Sequence, residues 1–371
     1  MRVCHLSSVH RQEDPRIFHK ECHTLANAGY EVFLITKGKT YDKKGVHLIG
    51  IENTANSRLQ RMLGTTKKLY QKALEIDADV YHAHDPELLP VLLKLKKRGK
   101  RTIFDSHENT IATIDERTYL PKPVRKVASI LYSKYQTYAC RKMDAIVTAT
   151  PNITELFQNM GCKRVIDLCN FPLLDSFNLP DYRSRTLAFA GGINRQWNHE
   201  RIIDAMETVD NVQYKLCGFA DASYLETLKT RSAWEKVDFL GSLPFEQVAE
   251  TLRQSAVGMA LLTPGGNTDW ENGNMANTKI FEEMMAGLPV ICTDFKRWKQ
   301  FIEKYDCGIC VDPGDVDQIS AAITELINDP AKAERMGRNS RKAVEAEFNW
   351  GHEEEKLIHL YRELEGEQNN G

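Results

Sequence analysis

Residues 79–107, DVYHAHDPELLPVLLKLKKRGKRTIFDSH, show the pattern from which the fold class is predicted. A short apolar run comes first, a segment with leucines at helical spacing follows, and a second apolar run closes the stretch. The same alternation precedes it at residues 3–36 and resumes at residues 186–311. Strands that alternate with helices in this way predict βαβ units, in which helices cover both faces of a parallel sheet.

The alternation lapses over NFPLLDSFNLPDYRSR, residues 170–185, which is rich in proline, asparagine and aspartate. Such a composition is typical of an interdomain linker. We therefore predict an α/β protein with two Rossmann-like domains, residues 1–172 and 173–348, that face each other across a cleft. Residues 349–371 are predicted to form a C-terminal helix that crosses back and packs on the N-terminal domain.

Length and composition agree with this division, because 371 residues suit two domains of ordinary size. Apolar residues make up 42% of the chain and charged residues 27%, which is usual for a folded globular protein. No run reaches the ~18 apolar residues that a membrane span needs, and the MRVCHLSS start has no apolar signal core. From these features we expect a cytoplasmic protein.

Charge is unevenly distributed, with a balance of +10 over residues 1–170 and −12 over the remainder. Basic and apolar residues interleave at helical spacing in three segments, 58–72, 94–101 and 121–135. Such a face suits either a solvated helix surface or contact with an anionic membrane. Nucleic acid is not an expected partner, because the chain carries no aromatic recognition motif and no compact basic reading helix.

Two common phosphate-binding motifs are absent from the sequence. Gly191 and Gly192 follow a predicted strand but lack the spacing of the dinucleotide fingerprint, and no Walker A sequence occurs. Asp77 and Asp79 have the D-x-D form of some metal sites, but they precede a buried strand and we assign no metal to them. The phosphate-binding site must therefore use other residues.

The segment NMANTKIFEEMMAGLPVI, residues 274–291, contains those residues. Asn277 or Thr278 can cap a helix that Gly287 ends. The free amides of its first turn and the charge of Lys279 predict an anion site suited to a diphosphate. One turn further on, Glu282 can accept hydrogen bonds from a ribose diol.

Histidines end two predicted strands of the N-terminal domain, His84 in YHAHD and His107 in FDSHE. Ligands of parallel sheets bind at the carboxyl ends of the strands, so both residues are candidate site residues. We expect His82 to point away from His84 or into the core, where a histidine is usually structural.

These motifs together resemble the retaining glycosyltransferases of family 4, whose architecture of two Rossmann-like domains is called GT-B. The resemblance covers essentially the whole chain. The segments that carry it are DPRIFHKECHTLANAGYEV, DVYHAHDPELLP, FDSHEN, NTKIFEEMMAGLPVICTD, CGICVDPGD and EFNWGHEEEKLIHLYREL.

The resemblance implies a donor site in the C-terminal domain. In that family the helix-start motif holds a nucleotide-sugar donor, and a glutamate at the Glu282 position binds the ribose. A second glutamate, eight positions earlier, touches the sugar; here that position is Asn274, and Asp269 or Glu271 are candidate substitutes. The implied donor-binding residues are Gly191, Gly192, Asn274, Met275, Ala276, Asn277, Thr278 and Glu282.

The resemblance also implies catalytic and acceptor residues. His107 matches the family position that reaches the donor sugar near its transferred carbon, and Arg195 and Lys279 are the cations beside the departing diphosphate. The implied acceptor-side residues are Ser7, His10, Asp14, Arg16, His84 and Asp85.

The function implied is retaining, metal-independent transfer of a hexose from a nucleotide diphosphate sugar to an acceptor hydroxyl, without a cofactor. The expected acceptor is a saccharide or lipid-linked saccharide of bacterial polysaccharide or glycolipid assembly. An anionic membrane is the expected surface partner, which places the protein on the inner face of the plasma membrane. Two alternatives stay open. One is a nucleotide-sugar epimerase or phosphorylase on the same fold. The other is a non-catalytic nucleotide-sugar-binding protein, which is suggested by Asn274 at the position of the usual glutamate.

Overall fold

A computed structural model describes most of the chain, namely residues 1–52, 64–115, 121–176 and 184–369. It divides into two compact units, Met1–Asn170 together with Trp350–Gly371, and Phe171–Asn349. Residues 58–63 of one predicted basic segment and residues 177–183 of the predicted linker lie outside the described residues.

The first unit contains, within its described residues, an eight-stranded sheet in the order β3-β4-β2-β1-β5-β6-β7-β8. Its strands are Arg2–Leu6 (β1), Glu31–Lys37 (β2), Tyr41–Lys43 (β3), Val46–Ile51 (β4), Val80–Ala83 (β5), Arg101–Ser106 (β6), Ala145–Thr148 (β7) and Val165–Asp167 (β8). The pair β3 and β4 is antiparallel, and the other strand pairs are parallel.

Helices cover this sheet as the alternation predicts. They are His23–Asn27 (α1), Thr66–Ile76 (α2), Leu89–Lys96 (α3), Thr110–Asp115 (α4), Lys122–Cys140 (α5) and Pro151–Asn159 (α6), with a π-helix at Ile17–Cys22 and a 3-10 turn at Pro86–Leu88. Every residue of β5 and β7 is buried. Continuous burial of this kind is usual for parallel strands, because both faces of the sheet are covered.

The second unit has a six-stranded parallel sheet among its described residues, in the order β11-β10-β9-β12-β13-β14. Its strands are Thr186–Ala190 (β9), Gln213–Cys217 (β10), Val237–Gly241 (β11), Val257–Ala260 (β12), Val290–Thr293 (β13) and Gly308–Val311 (β14). Its helices are His199–Ala205 (α7), Ala222–Lys229 (α8), Phe245–Gln254 (α9), Thr278–Met285 (α10), Lys296–Tyr305 (α11), Val316–Asn328 (α12) and Pro330–Ala346 (α13). Short 3-10 turns lie at Arg195–Trp197, Met206–Thr208, Ser232–Lys236, Gly266–Thr268 and Trp270–Asn272.

The C-terminal helix, Trp350–Asn369 (α14), belongs to the first unit. Its buried side chains, Trp350, Leu357, Leu360, Tyr361 and Leu364, join the core beneath that sheet. The Trp350 indole donates a hydrogen bond of 2.9 Å to Thr24 Oγ1. The predicted α/β fold with two parallel-sheet domains, and the return of this helix to the N-terminal sheet, are confirmed.

In each sheet the first strand lies in the middle: the chain places its next strand on one side of it and returns later to place another on the other side. This position is called the switch point below. In the first unit β1 lies between β2 and β5, and in the second β9 lies between β10 and β12. The loops that leave such a pair diverge, so a crevice opens at the carboxyl ends of the strands. None of the described helices is both long enough and apolar enough to cross a membrane.

Candidate functional site

The switch point of the first unit joins the ends of β1 and β5 through one carboxylate. Asp85 Oδ2, just after β5, accepts hydrogen bonds from Ser7 Oγ at 3.0 Å and from the Ser8 amide at 2.6 Å. Asp85 and Ser7 are buried. These two predicted acceptor-side residues therefore hold the first loop against the second strand.

A second carboxylate, Asp105 on β6, organises the histidines. Its Oδ2 lies 3.2 Å from His84 Nδ1, 3.2 Å from His107 Nε2 and 3.1 Å from Arg16 Nη2. Asp105 is near the end of β6 and His107 is the first residue after it, and a spacing of two returns a side chain to the same face of an extended chain. Asp105 is not among the site residues predicted from the sequence, although its spacing from His107 within FDSHE was the available signal.

One tautomer assignment satisfies these contacts. His84 and His107 both donate to Asp105, and His84 Nε2 accepts from His5 Nδ1 at 2.9 Å. His107 then keeps its Nδ1 lone pair for another partner. Of these residues His107 has a side chain that is 20% exposed, whereas those of His5 and His84 are fully buried.

Buried charge in this cluster is balanced within the first unit. Burial opposes ionisation of Asp105, but Arg16 and the imidazole of His107 hold its pKa well below the ordinary carboxyl value. Glu21, whose Oε1 lies 3.0 Å from Arg16 Nε, is the opposite case. Burial and the neighbouring Asp105 charge raise its pKa well above the ordinary value despite Arg16. One guanidinium therefore faces two buried carboxyl groups whose pKa values are shifted in opposite directions.

His10 and Asp14 form an ion pair at the accessible side of the cluster. His10 Nδ1 lies 3.1 Å from Asp14 Oδ2, and the rings of His10 and His107 are 5.1 Å apart. Burial works against a charged imidazole, but the bond to Asp14 and the carboxylates of Asp85 and Asp105 raise the pKa of His10. Burial lowers the pKa of His84 to about 4. The cluster therefore presents imidazoles of different proton affinity side by side.

The expectation that His82 points away from His84 was wrong, while its burial in the core was correct. The two rings are stacked at 4.8 Å: His82 is on β5 and His84 is the first residue after it, and a spacing of two returns a side chain to the same face of an extended chain. His82 Nδ1 is 2.9 Å from the Tyr361 hydroxyl of α14. The C-terminal helix thus reaches the base of the histidine cluster.

The described residues include two groups of side chains with the composition and spacing to hold a metal ion. They are Glu21, His82, His84 and Asp105, and separately Asp167, Cys169 and Glu353. In the first group the Arg16 guanidinium already contacts both carboxylates. The D-x-D pair has structural contacts, since Asp77 pairs with Lys100 at 2.8 Å and Asp79 accepts the Arg2 amide at 2.7 Å.

In the second unit, α10 begins as the sequence predicts. Of the two candidate caps, Asn277 is the one that caps the helix, with its side-chain oxygen 3.2 Å from the Lys279 amide. Gly287, with φ of 70°, ends the helix in the left-handed region that favours glycine. Helix α10 follows the loop after β12, and β12 is the neighbour of β9 at the switch point of this sheet.

Lys279 lies across Gly191 and contacts Glu282. A Cβ at Gly191 would come within 2.9 Å of Lys279 Cε, and Lys279 Nζ is 2.9 Å from Glu282 Oε2. Both side chains are partly exposed. The loop after β9 thus lies against an ammonium that pairs with a carboxylate, and both groups belong to the first two turns of α10.

Arg195 is placed differently from Lys279. Its guanidinium lies 3.1 Å from Glu200 Oε1 and 5.0 Å from the centre of the Tyr224 ring, and its side chain is 65% exposed. A diphosphate bound by Arg195 would compete with Glu200 for this exposed guanidinium.

Asn274 is buried and holds the loop that precedes α10. Its side-chain oxygen accepts the Ala276 amide at 3.1 Å, and its backbone carbonyl accepts the Trp298 indole N–H at 2.8 Å. Met275, Ala276 and Thr278 are half-buried. Among the candidate substitutes for the missing glutamate, Asp269 lies 3.8 Å from Arg297, and Glu271 is exposed.

The neighbouring Glu283 points into the core. It is buried, and a Cβ at Gly258 of β12 would collide with its Oε2 at 2.5 Å. Burial raises the pKa of Glu283 well above the ordinary value despite the Lys279 charge. Of the two consecutive glutamates, Glu282 is therefore the one available to a ligand.

Comparison with known proteins gives matches along nearly the whole chain. The family model described as Glycosyltransferase Family 4 matches residues 16–168, and the one described as Glycosyl transferases group 1 matches residues 175–343. The histidine cluster falls largely within the first match and α10 within the second. These matches define the chain as a glycosyltransferase of the GT-B fold class. Within that class it belongs to family 4.

Individual relatives are more distant. A GDP-mannose-dependent monoacylated alpha-(1-6)-phosphatidylinositol monomannoside mannosyltransferase of Corynebacterium glutamicum is 30% identical over 127 residues, which are 34% of this chain and 32% of that protein. The chain thus matches about a third of the length of that curated relative. Among solved structures, sucrose-phosphate synthase of Thermosynechococcus elongatus has a TM-score of 0.75 at 16% identity, covering 98% of this chain and 99% of its own. Anabaena HepE in complex with UDP and glucose has a TM-score of 0.70 at 12% identity, covering 98% and 100%.

We predict that Gly191→Ala weakens binding of UDP or GDP about tenfold, or ~1.4 kcal/mol, in isothermal titration. The added Cβ would meet both Lys279 and the buried Phe189 ring at 2.9 Å, so the ammonium must move. Gly366→Ala is the matched control, because a Cβ there would meet no atom within 4 Å and the residue is not among the implied donor-binding residues. Equal affinity in the two variants would show that the approach of Lys279 to Gly191 does not matter for binding.

We predict that Asp105→Asn lowers the kcat of sugar transfer by about 10²-fold and changes its pH profile, because an amide leaves Arg16 without its charge partner and no longer fixes the tautomer of His107. Asp144→Asn is the control. Asp144 accepts the Thr102 amide at 2.8 Å at the opposite edge of the same sheet, so its loss should affect stability more than turnover. An unchanged kcat and pH profile in Asp105→Asn would remove Asp105 from the site.

Proposed function

We propose that this protein transfers a hexose from a nucleotide diphosphate sugar to an acceptor hydroxyl with retention of the anomeric configuration. The observation that carries the proposal is the placement of Lys279 against Gly191 and beside Glu282 at the free start of α10. Helix amides with an adjacent ammonium suit a diphosphate, and an accessible carboxylate suits the two hydroxyls of a ribose. The GDP-mannose dependence of the corynebacterial relative and the UDP bound to HepE support a nucleotide-sugar donor.

In this proposal the residues of the second unit act mainly on the leaving group. Lys279 stabilises the charge that grows on the departing diphosphate, and Arg195 joins it when it leaves Glu200. Glu282 binds the ribose equally in ground and transition states. The departing phosphate accepts the proton of the acceptor hydroxyl, so no carboxylate has to act as a nucleophile.

The first unit supplies the acceptor side. Asp85, Ser7 and Arg16 are engaged inside the protein and position the loop after β1. His10 and Asp14 are partly exposed and offer the polar groups that a saccharide hydroxyl can bind. His107, oriented through Asp105, contacts the donor sugar near the transferred carbon in this proposal.

We also propose that the transfer is independent of metal ions and of any cofactor. Lys279 and Arg195 supply the positive charge that a divalent ion would otherwise provide at a diphosphate. The acceptor in this proposal is a saccharide or lipid-linked saccharide of bacterial polysaccharide or glycolipid assembly, and the protein works in the cytoplasm on the inner, anionic face of the plasma membrane. The phosphatidylinositol mannoside named for the corynebacterial relative supports a glycolipid acceptor.

We test this function with a panel of UDP-, GDP- and ADP-sugars, scored by donor hydrolysis, by transfer and by thermal shift. Glu282→Ala should raise the KM for the donor and leave kcat nearly unchanged, because the ribose contact is uniform binding. Lys279→Ala should lower kcat about 10²-fold, because its partner charge develops in the transition state. Nucleotide binding without turnover by any donor would favour the non-catalytic alternative, and interconversion of donor sugars would favour an epimerase.

We expect that EDTA leaves the activity of the wild-type protein unchanged. The control is the same assay with added Mg²⁺ or Mn²⁺, which should not raise the rate. Loss of activity in EDTA with recovery on addition of either ion would contradict the metal-independent mechanism.

A further inference from the structure

Helix α5 has its apolar and polar residues on the reverse faces from those of an ordinary surface helix. Its buried side chains are Ser129, Gln136, Ala139 and Cys140. Its exposed side chains include Val124, Val127, Ile130, Leu131, Tyr135 and Tyr138, of which Leu131 is 62% exposed. A surface helix normally buries its apolar stripe against the core. The exposed apolar stripe of α5 is thus left without a partner in the described part of the chain.

The exposed stripe repeats at helical spacing. Val124, Val127, Leu131 and Tyr138 are separated by three, four and seven residues, so they lie along one side of the helix. Scattered exposed apolar residues are normal on a soluble protein, but a continuous row marks an interaction surface. The surface formed by these residues is called the α5 stripe below.

Positive charge surrounds the α5 stripe. Residues 121–142 contain six lysines and arginines and no aspartate or glutamate. Lys122, Lys126 and Lys134 are exposed, and Lys142 Nζ lies 4.4 Å from the centre of the Tyr138 ring. Long cationic side chains can keep their ammonium groups at an interface while their methylenes cover apolar surface.

We propose that the α5 stripe inserts into the surface of an anionic lipid bilayer, with the helix lying in the plane of the interface. Aliphatic residues flanked by lysines, with tyrosines among them, are the composition of an interfacial helix. The charge argues against a second copy of this chain as the occupant, since two such faces would bring like charges together without an acidic partner on either helix. Anionic phospholipid headgroups supply the complementary charge.

This inference deepens the proposed function, because a lipid-linked acceptor is presented at such a surface. The two remain separable in experiment. Vesicle binding is measured without any sugar donor, and transfer to a water-soluble acceptor does not require a membrane.

The first experiment is co-sedimentation of the full chain with vesicles of phosphatidylcholine containing phosphatidylglycerol, and with vesicles of phosphatidylcholine alone. We expect binding to the anionic vesicles at low salt and at least tenfold weaker binding to the neutral ones. Added salt should weaken binding only in part, because the inserted apolar side chains are not screened. No binding to anionic vesicles at low salt would overturn the proposal.

Two double variants locate the contact. Val127→Gln with Leu131→Gln should reduce binding at least tenfold, and Lys126→Gln with Lys134→Gln should reduce it about fivefold per lysine. Leu173→Gln with Leu174→Gln is the matched control, since both leucines are 50% exposed in the second unit. The control should bind vesicles like the wild type, and circular dichroism should show that each variant keeps its helix content.

Two results would overturn the assignment of this surface. One is a loss of vesicle binding in the Leu173 and Leu174 variant equal to that in the α5 variants. The other is a dimer in lipid-free sedimentation that the α5 substitutions dissociate, together with unchanged vesicle binding. The second result would make the α5 stripe an interface between copies of this chain.

Discussion

Parallel strands of one sheet all end at the same edge, and this constraint determines where the chemistry of the protein lies. Beside β1 and beside β9, the neighbouring strands on the two sides are reached by connections that run in opposite directions. The loops at the carboxyl ends of these strands therefore separate. The backbone N–H and C=O groups of such loops do not take part in the hydrogen bonds of the sheet. The histidine cluster occupies one of these positions and the start of α10 occupies the other.

The two candidate sites differ in how the charges of their side chains are neutralised. In the first unit Arg16 lies between Asp105, which is held ionised, and Glu21, whose neutral form burial favours. This arrangement fixes the imidazoles around Asp105 and leaves little freedom. In the second unit the charges of Lys279 and Glu282 are partly exposed and pair with each other, so a ligand can separate them at low cost.

The first unit also contains a helix, α5, whose apolar side chains are largely not buried. Helix α5 buries Ser129 and Gln136 while it exposes Leu131 and Tyr138. Burial of a leucine side chain is worth about 1.5–3 kcal/mol, so this orientation forgoes stabilisation that the reverse orientation would offer. A helix that forgoes such burial in the free protein can recover it on binding, which is the physical basis for assigning the α5 stripe to a membrane.

Much of the fold could be predicted because its signal is local. Apolar runs and helical spacing identified the two sheets, and Asn277 and Gly287 identified the ends of α10. Proline and asparagine after residue 170 predicted a linker between the two domains. The predicted family and the return of α14 to the first sheet are confirmed. The candidate residues after strands were also accessible to prediction, since a parallel sheet dictates the edge at which they lie.

Local patterns of residues specify the alternation of strands and helices, the positions of the loops and the chemical groups available at each loop. How those groups pair depends on the folded chain. Periodicity did not distinguish Glu282, which meets Lys279, from Glu283, which is buried against Gly258. It also did not reveal Asp105 as the partner of His84, Arg16 and His107. The reason is physical: burial, proton affinity and charge pairing depend on distances between residues far apart in the chain, and those distances exist only after the strands have been ordered in the sheet.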